Sequence, residues 1–363
     1  MLLVRPRCGK VTQLGLGFCQ IVSAAIEQRP DLTEFRGFLA SYKAASGLHL
    51  ETWVRQSNRP DPANRRRWAM LKTILVPLDG SSASEQALPL AVSLARRANA
   101  CLRLVTVRPP MPPTSQVAPP PKEQDYVDMV AWRIRQTAHL SVFSSVLDGP
   151  IAKTLGDHAL SVGASLIVMT THGRGPFSRF WLGSVTDQLL RNAPVPLLVV
   201  RPRDTESPPV DRDWAPRSIL VPLDGSPLAE RALCHAAEIA KLTDSSLRLF
   251  RVIEPIPVLA PDGLIPQPTI LDASVLDELK TQARTYLEGM ADKLRKDGLK
   301  VNCRIAIDDR TAQAILEEGR EDDLIALASH ARHGVARILL GSVADKLVRG
   351  ATSPVLVARP EVH

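Results

Sequence analysis

Along most of the chain, short runs of branched and apolar residues alternate with stretches in which apolar positions return every three or four residues. Continuous apolar runs of roughly four to eight residues read as strands of a parallel sheet buried on both faces, and the longer periodic stretches as helices covering that sheet. Strands are predicted at 73–78, 102–107, 141–147, 166–170 and 197–200, and again at 218–223, 247–253, 301–307, 324–328 and 355–358. Amphipathic helices are predicted from Ser84 to Arg97, Lys122 to Thr137, Ala229 to Leu242 and Ala273 to Lys296. The proline-rich stretches 109–121 and 255–268 cannot be helix interior, so each second strand leads into an extended loop.

The alternation is one unit used twice. Residues Ile74 to Ser81 read ILVPLDGS, and so do Ile219 to Ser226, at an offset of 145. The match runs on through Glu85 and Glu230, Ala87 and Ala232, Leu88 and Leu233, then LRLVTV from Leu102 and LRLFRV from Leu247. LGSV at Leu182 returns at Leu340, an offset of 158, so the second copy carries 13 extra residues, placed mainly in its longer helix at 273–296. The expected architecture is α/β: two tandem, doubly wound, five-stranded parallel-sheet domains at 71–202 and 217–361, joined by a Pro-rich, charged linker at 203–216. The first 70 residues do not repeat. Three readings stand for them: translation from an upstream start that the cell does not use, a poorly ordered extension, or a small helical appendage. Met70 immediately precedes the first strand.

The net charge of +7 raises the question of a nucleic-acid partner. Residues 1–70 hold eleven Lys and Arg against five Asp and Glu, which leaves 34 against 33 in the repeat, so the repeat itself carries no basic footprint. No run of about 18 apolar residues offers a membrane span. The five cysteines have no CxxC or Cys/His metal spacing, and no secretory signal layout precedes them, which points to a reducing cytoplasm and to no metal site.

In an open doubly wound sheet, ligands bind beyond the carboxyl ends of the strands, where the strand order reverses. In the first copy this gathers Pro77, Leu78, Asp79 and Gly80 after strand one, Val107 at the end of strand two, and the loop MTTHGRGPFSRFWLGSVT from Met169. Within that loop, Met169, Thr170, Gly173, Arg174, Gly183, Ser184, Val185 and Thr186 are candidate ligand contacts, because a helix entered through Gly-Ser presents free N–H groups and a hydroxyl to a phosphate. The second copy offers Asp224, Val252, Ala328, Gly341, Ser342 and Val343. Each has a plainer reading. Asp79 and Asp224 suit ordinary Asp-Gly-Ser turn and capping chemistry, and Gly183 and Gly341 suit close helix packing. His172 and His330 lack a partner nucleophile at a telling spacing and read as structural; Phe180 and Trp181 read as packing or an interface, and Arg174, Arg179 and Arg191 as solvated surface, although Arg174 is placed to reach a phosphate.

The strand-one Asp, the His-Gly-Arg after strand four and the Gly-Ser helix entry resemble the universal stress protein family from Lys72 to Pro360. The resemblance implies an adenine nucleotide α hydrolase-like fold with strand order 3-2-1-4-5, domains paired through their final strands, and a homodimer. It also implies ATP, with Mg2+, as ligand in members carrying Gly-x-x-Gly, nine residues, then Gly-Ser. Here Thr170 stands at the first glycine while Gly173, Gly183 and Ser184 fit; in the second copy Ala328 and Ala331 replace both glycines and only Gly341 and Ser342 match, which argues against tight binding there and for a preference of ATP for the first copy. The implied function is a stress-response module that binds an adenine nucleotide in domain 1 for a regulatory purpose. The alternatives are a structural dimerisation protein without nucleotide, and a slow ATPase. The last is disfavoured, since there is no Walker A sequence, general base or carboxylate cluster.

Overall fold

Each apolar run is a strand. In the first copy β1 is Thr73–Pro77, β2 Cys101–Arg108, β3 Val142–Asp148, β4 Leu166–Thr170 and β5 Leu197–Val200; in the second β6 is Ser218–Pro222, β7 Ser246–Ile253, β8 Val301–Ile307, β9 Leu324–Ala328 and β10 Val355–Ala358. The helices are α1 Ser82–Glu85, α2 Leu88–Ala98, α3 Lys122–Ala138, α4 Ile151–Ser161 and α5 Ser184–Asn192, then α6 Pro227–Thr243, α7 Ala273–Lys296, α8 Thr311–Glu318 and α9 Ser342–Gly350. The structure is a computed structural model that describes residues 71–110, 122–171, 182–203, 208–255, 273–328 and 341–359. The expectations for residues 1–70, for most of the two proline-rich loops, and for His172, Gly173, Arg174, Arg179, Phe180, Trp181, His330 and Ala331 lie outside the described residues.

The ten strands make one sheet, ordered β3-β2-β1-β4-β5-β10-β9-β6-β7-β8. Each half has the expected 3-2-1-4-5 order and is parallel throughout, and the halves meet where β10 pairs antiparallel with β5, Val355 opposite Val199 and Leu356 opposite Leu198. Burial explains the continuous apolar runs: Ile74 and Val76 point into the layer under α2, α3, α6 and α7, and Leu75 into the layer under α4, α5, α8 and α9. Pairing the final strands removes two exposed sheet edges at once, which a single copy would leave open.

Two arginines lock this seam reciprocally. Arg201, one residue past β5, donates to the carbonyls of Arg349 (2.7 Å) and Ala351 (3.3 Å) at the end of α9; Arg359, one residue past β10, donates to the Leu189 carbonyl (3.1 Å) in α5. Each guanidinium thus meets the negative end of the other copy's last helix. A second seam joins α2 to α6. Ser93 donates to Asp213 (2.7 Å), which also holds Arg96 and Arg97, while the buried Glu238 accepts the Leu71 N–H (2.6 Å). Glu238 occupies in α6 the position that Ser93 has in α2.

One predicted helix is divided. The stretch from Ser84 to Arg97 contains Pro89, which cannot donate to Glu85 and whose ring crowds that carbonyl, so α1 ends and α2 begins anew. The turn between them is closed by short-range bonds from Gln86 N to Ala83 O and from Ala87 N to Ser84 O. In the second copy Cys234 stands at the position of Pro89, and α6 runs unbroken for 17 residues.

Candidate functional site

The ends of β1 and β6 shape the candidate sites first. Leu78 extends the β1 ladder by donating to Val105 O (2.8 Å), and its own carbonyl accepts the buried Thr106 hydroxyl (2.9 Å). The chain then turns at Gly80 (φ 81°), a left-handed conformation that suits glycine. Asp79 folds its carboxylate back onto the Ser81 N–H (3.0 Å) and hydroxyl (2.5 Å), and the Ser81 hydroxyl accepts the Ser84 N–H (3.1 Å) to cap α1. Asp224 does the same for Ser226 N–H (2.8 Å) beside Gly225 (φ 86°), with Ser226 capping α6 through Ala229 N–H. The turn-forming role of both aspartates is therefore realised, and Asp79 and Asp224 stay exposed at the carboxyl edge of the sheet.

The second shaping element is the entry to α5. Gly183 is its N-cap at φ −60° and supplies no side-chain cap, while its N–H is held by Thr171 O (2.8 Å). Ser184 is exposed in the first turn. Thr186 points the other way: it is fully buried and donates to Thr170 O (3.1 Å), tying α5 to the end of β4. Val185, with Val107, packs against the layer beneath, Met169 lies within that layer, and Pro77 is half-buried at the end of β1. Gly341 repeats the arrangement at φ −56° ahead of an exposed Ser342, with Val343, Val252 and Ala328 half-buried around it. Because both glycines have negative φ, backbone strain is not what a side chain would meet there.

Residues that sequence reasoning did not single out complete each site. Glu85 at the end of α1 accepts Tyr126 (3.0 Å) and Arg133 (2.5 Å) from α3, and Glu230 accepts Tyr286 (3.1 Å) from α7. Burial, then the neighbouring carboxylate, raises both phenols well above the usual tyrosine range, so both remain neutral donors. The signal was the repeat itself, since Glu85 and Glu230 fall in the matched segment. In the second copy the cation comes instead from Arg251 on β7, stacked on Tyr286 at 5.5 Å. A cleft of about 470 Å³ lies between the starts of α8 and α9, where Glu254 and Asp309 face Arg310 and Lys346 and Thr311 donates to Glu254. Its charges balance. Among the described residues no three His, Cys, Asp or Glu side chains come together in a way that could hold a metal ion, and no helix is long and apolar enough to cross a membrane.

Two parallel α/β units, each gathering a turn and a helix entry at the carboxyl edge of its strands, define a tandem doubly wound protein with one candidate site per unit. A model of the universal stress protein family matches residues 70–201 and again 216–359, so the chain belongs to the universal stress protein family, as a tandem member. Universal stress protein Rv2005c of Mycobacterium tuberculosis is 30% identical over 200 residues, covering 55% of this chain and 63% of its own length. Rv1996 of the same organism is 28% identical over 317 residues, 79% of this chain and 94% of its own. Among solved structures, a protein of Pseudomonas aeruginosa superposes with a TM-score of 0.57 at 18% identity over 80% of this chain and 93% of that one. A universal stress protein of Archaeoglobus fulgidus gives 0.55 at 19%, over 79% and 98%. At these identities the superpositions speak to the fold alone.

Proposed function

We propose that the chain is a cytoplasmic stress-response module whose first domain binds ATP or a related adenine nucleotide, and whose purpose is regulatory rather than catalytic. The observation that carries this reading is the entry to α5. An N-cap glycine leaves the first turn of α5 without a side-chain cap, and Ser184 is exposed beside it, so a phosphate seated there would gain from backbone N–H donors, a hydroxyl and the helix dipole. In this reading the Asp79–Gly80 turn supplies the opposite wall of the seat. In the same reading Gly173, which fits the family pattern, and Arg174, which follows it in sequence, would approach the phosphates. A magnesium ion would enter this seat together with the phosphates of ATP.

No residue is assigned a catalytic part: Tyr126 is held neutral against Glu85, and Asp79 is engaged with Ser81. A homodimer remains part of the proposal, beyond the pairing of β5 with β10 inside one chain. The test is the nucleotide content of the purified protein after denaturation. Adenine nucleotide at about one per chain supports the reading, and protein that neither carries nor takes up nucleotide favours a structural dimerisation role.

A further inference from the structure

We propose that Arg251 closes the ligand seat of the second copy, so that this one side chain, rather than the alanines of the β9 loop, makes the second domain the non-binding half. The inference rests on the reading that the ends of β1 and β6 are nucleotide seats. Arg251 and Thr106 occupy the same position in the repeat, on the strand next to the turn. Thr106 is short and buried, and its hydroxyl is spent inward on Leu78 O (2.9 Å). Arg251 instead reaches over the turn. Its Nη1 lies 2.9 Å from where a Cβ on Gly225 would be, with Cζ and Nη2 each at 3.7 Å, so the guanidinium fills the room directly above that glycine.

The exposure of the two turns agrees: Gly80 is exposed, whereas Gly225 is half-covered. The guanidinium is kept there by Tyr286, on whose ring it stacks at 5.5 Å and which Glu230 holds in place through its hydroxyl (3.1 Å). In the first copy the corresponding carboxylate, Glu85, draws its cation from the helix side, through Arg133. Among the described residues Arg251 forms no ion pair that would have to be broken if it were replaced. A flat ligand laid on the Asp224–Gly225 turn must first displace the guanidinium from its stack.

The test counts labelled ATP bound per chain by equilibrium dialysis in the parent, Arg251→Thr, Ala328→Gly, Gly183→Val and the double variant Gly183→Val with Arg251→Thr. Threonine is the residue that the same position carries in the first copy, where its hydroxyl donates to the Leu78 carbonyl, and melting curves confirm that each variant is folded. The expected counts are one for the parent, two for Arg251→Thr, one for Ala328→Gly, none for Gly183→Val and one for the double variant. An Arg251→Thr count equal to the parent's overturns the proposal, and so does a second site opened by Ala328→Gly alone. A parent that binds none refutes the first-domain reading separately: a rise from none to one on Arg251→Thr still supports the closure, and a count that stays at none overturns it.

Discussion

Removing the carboxylate of Asp323 will destabilise the second domain by about 3 kcal/mol. Asp323 is buried at 1% exposure between the end of α8 and β9, where it accepts the Ser218 hydroxyl (2.8 Å), the Arg320 N–H (2.9 Å) and the guanidinium of Arg248. Arg248 is itself buried, and its second partner, Glu318, lies at 3.4 Å and is shared with Arg304. Breaking a buried ion pair from one side typically costs about 3 to 5 kcal/mol, because the remaining charge is left in a poor solvent. Glu318 compensates part of the stranded charge, which places Asp323→Ala at the lower end; the melting temperature should fall by roughly 6 to 12 °C for a domain of this size. Replacing both partners, Arg248→Met with Asp323→Ala, should recover most of the loss, since no charge is then buried without a partner. Urea unfolding of the two variants against the parent measures both. A loss under about 1 kcal/mol for Asp323→Ala, or a double variant as unstable as the single one, would refute the reasoning.

Glu238 makes stability depend on pH. Burial raises its carboxyl from an ordinary 4.5 to about 7, against the Leu71 N–H that favours the charged form. The folded state therefore holds the proton more tightly than the unfolded one, so its contribution is fully present below pH 4.5 and is lost as pH rises through about 7. Glu238→Gln should flatten this decline and be the more stable protein at pH 8, by up to about 3 kcal/mol, as read from melting across pH 5 to 8; a parent-like slope in the variant would exclude Glu238. Arg201→Ala removes two bonds across the β5–β10 seam and should cost about 1 to 2 kcal/mol, seen as a lowered melting temperature with unchanged helix content. A chain starting at Met70 should melt within a few degrees of the full chain, and a large drop in differential scanning calorimetry would show that residues 1–70 contribute to the core.

Much of the fold could be read because the sheet is buried on both faces. A strand such as ILV at 74–76 has no polar alternation to confuse it with an exposed strand, and its exact return at 219–221 fixed the second domain. Side-chain geometry was harder to read. Pro89 lay in plain view inside a predicted helix, and its consequence was missed because the amphipathic period continues across the break. Thr186 reads as a phosphate ligand by its place after Gly-Ser, yet one further step around α5 turns its hydroxyl toward β4. Arg201 and Arg359 each follow a final strand at the same point of the repeat, a signal of their reciprocal role, but arginine at a strand end ordinarily signifies surface. Arg251 in place of Thr106 is one of two differences between LRLVTV and LRLFRV, and only the structure shows that its guanidinium lies over Gly225.

The central claim, that one nucleotide seat works and lies in the first domain, is tested most directly by titrating Gly183→Val and Gly341→Val with labelled ATP. Both glycines are N-caps at nearly the same φ, so valine costs each helix about the same and the comparison isolates the ligand. A branched side chain where a phosphate must approach should weaken binding at least about 100-fold, a difference of roughly 3 kcal/mol. The account predicts that loss for Gly183→Val and parent-like affinity for Gly341→Val. Equal losses from the two substitutions, or a loss from Gly341→Val alone, would contradict it.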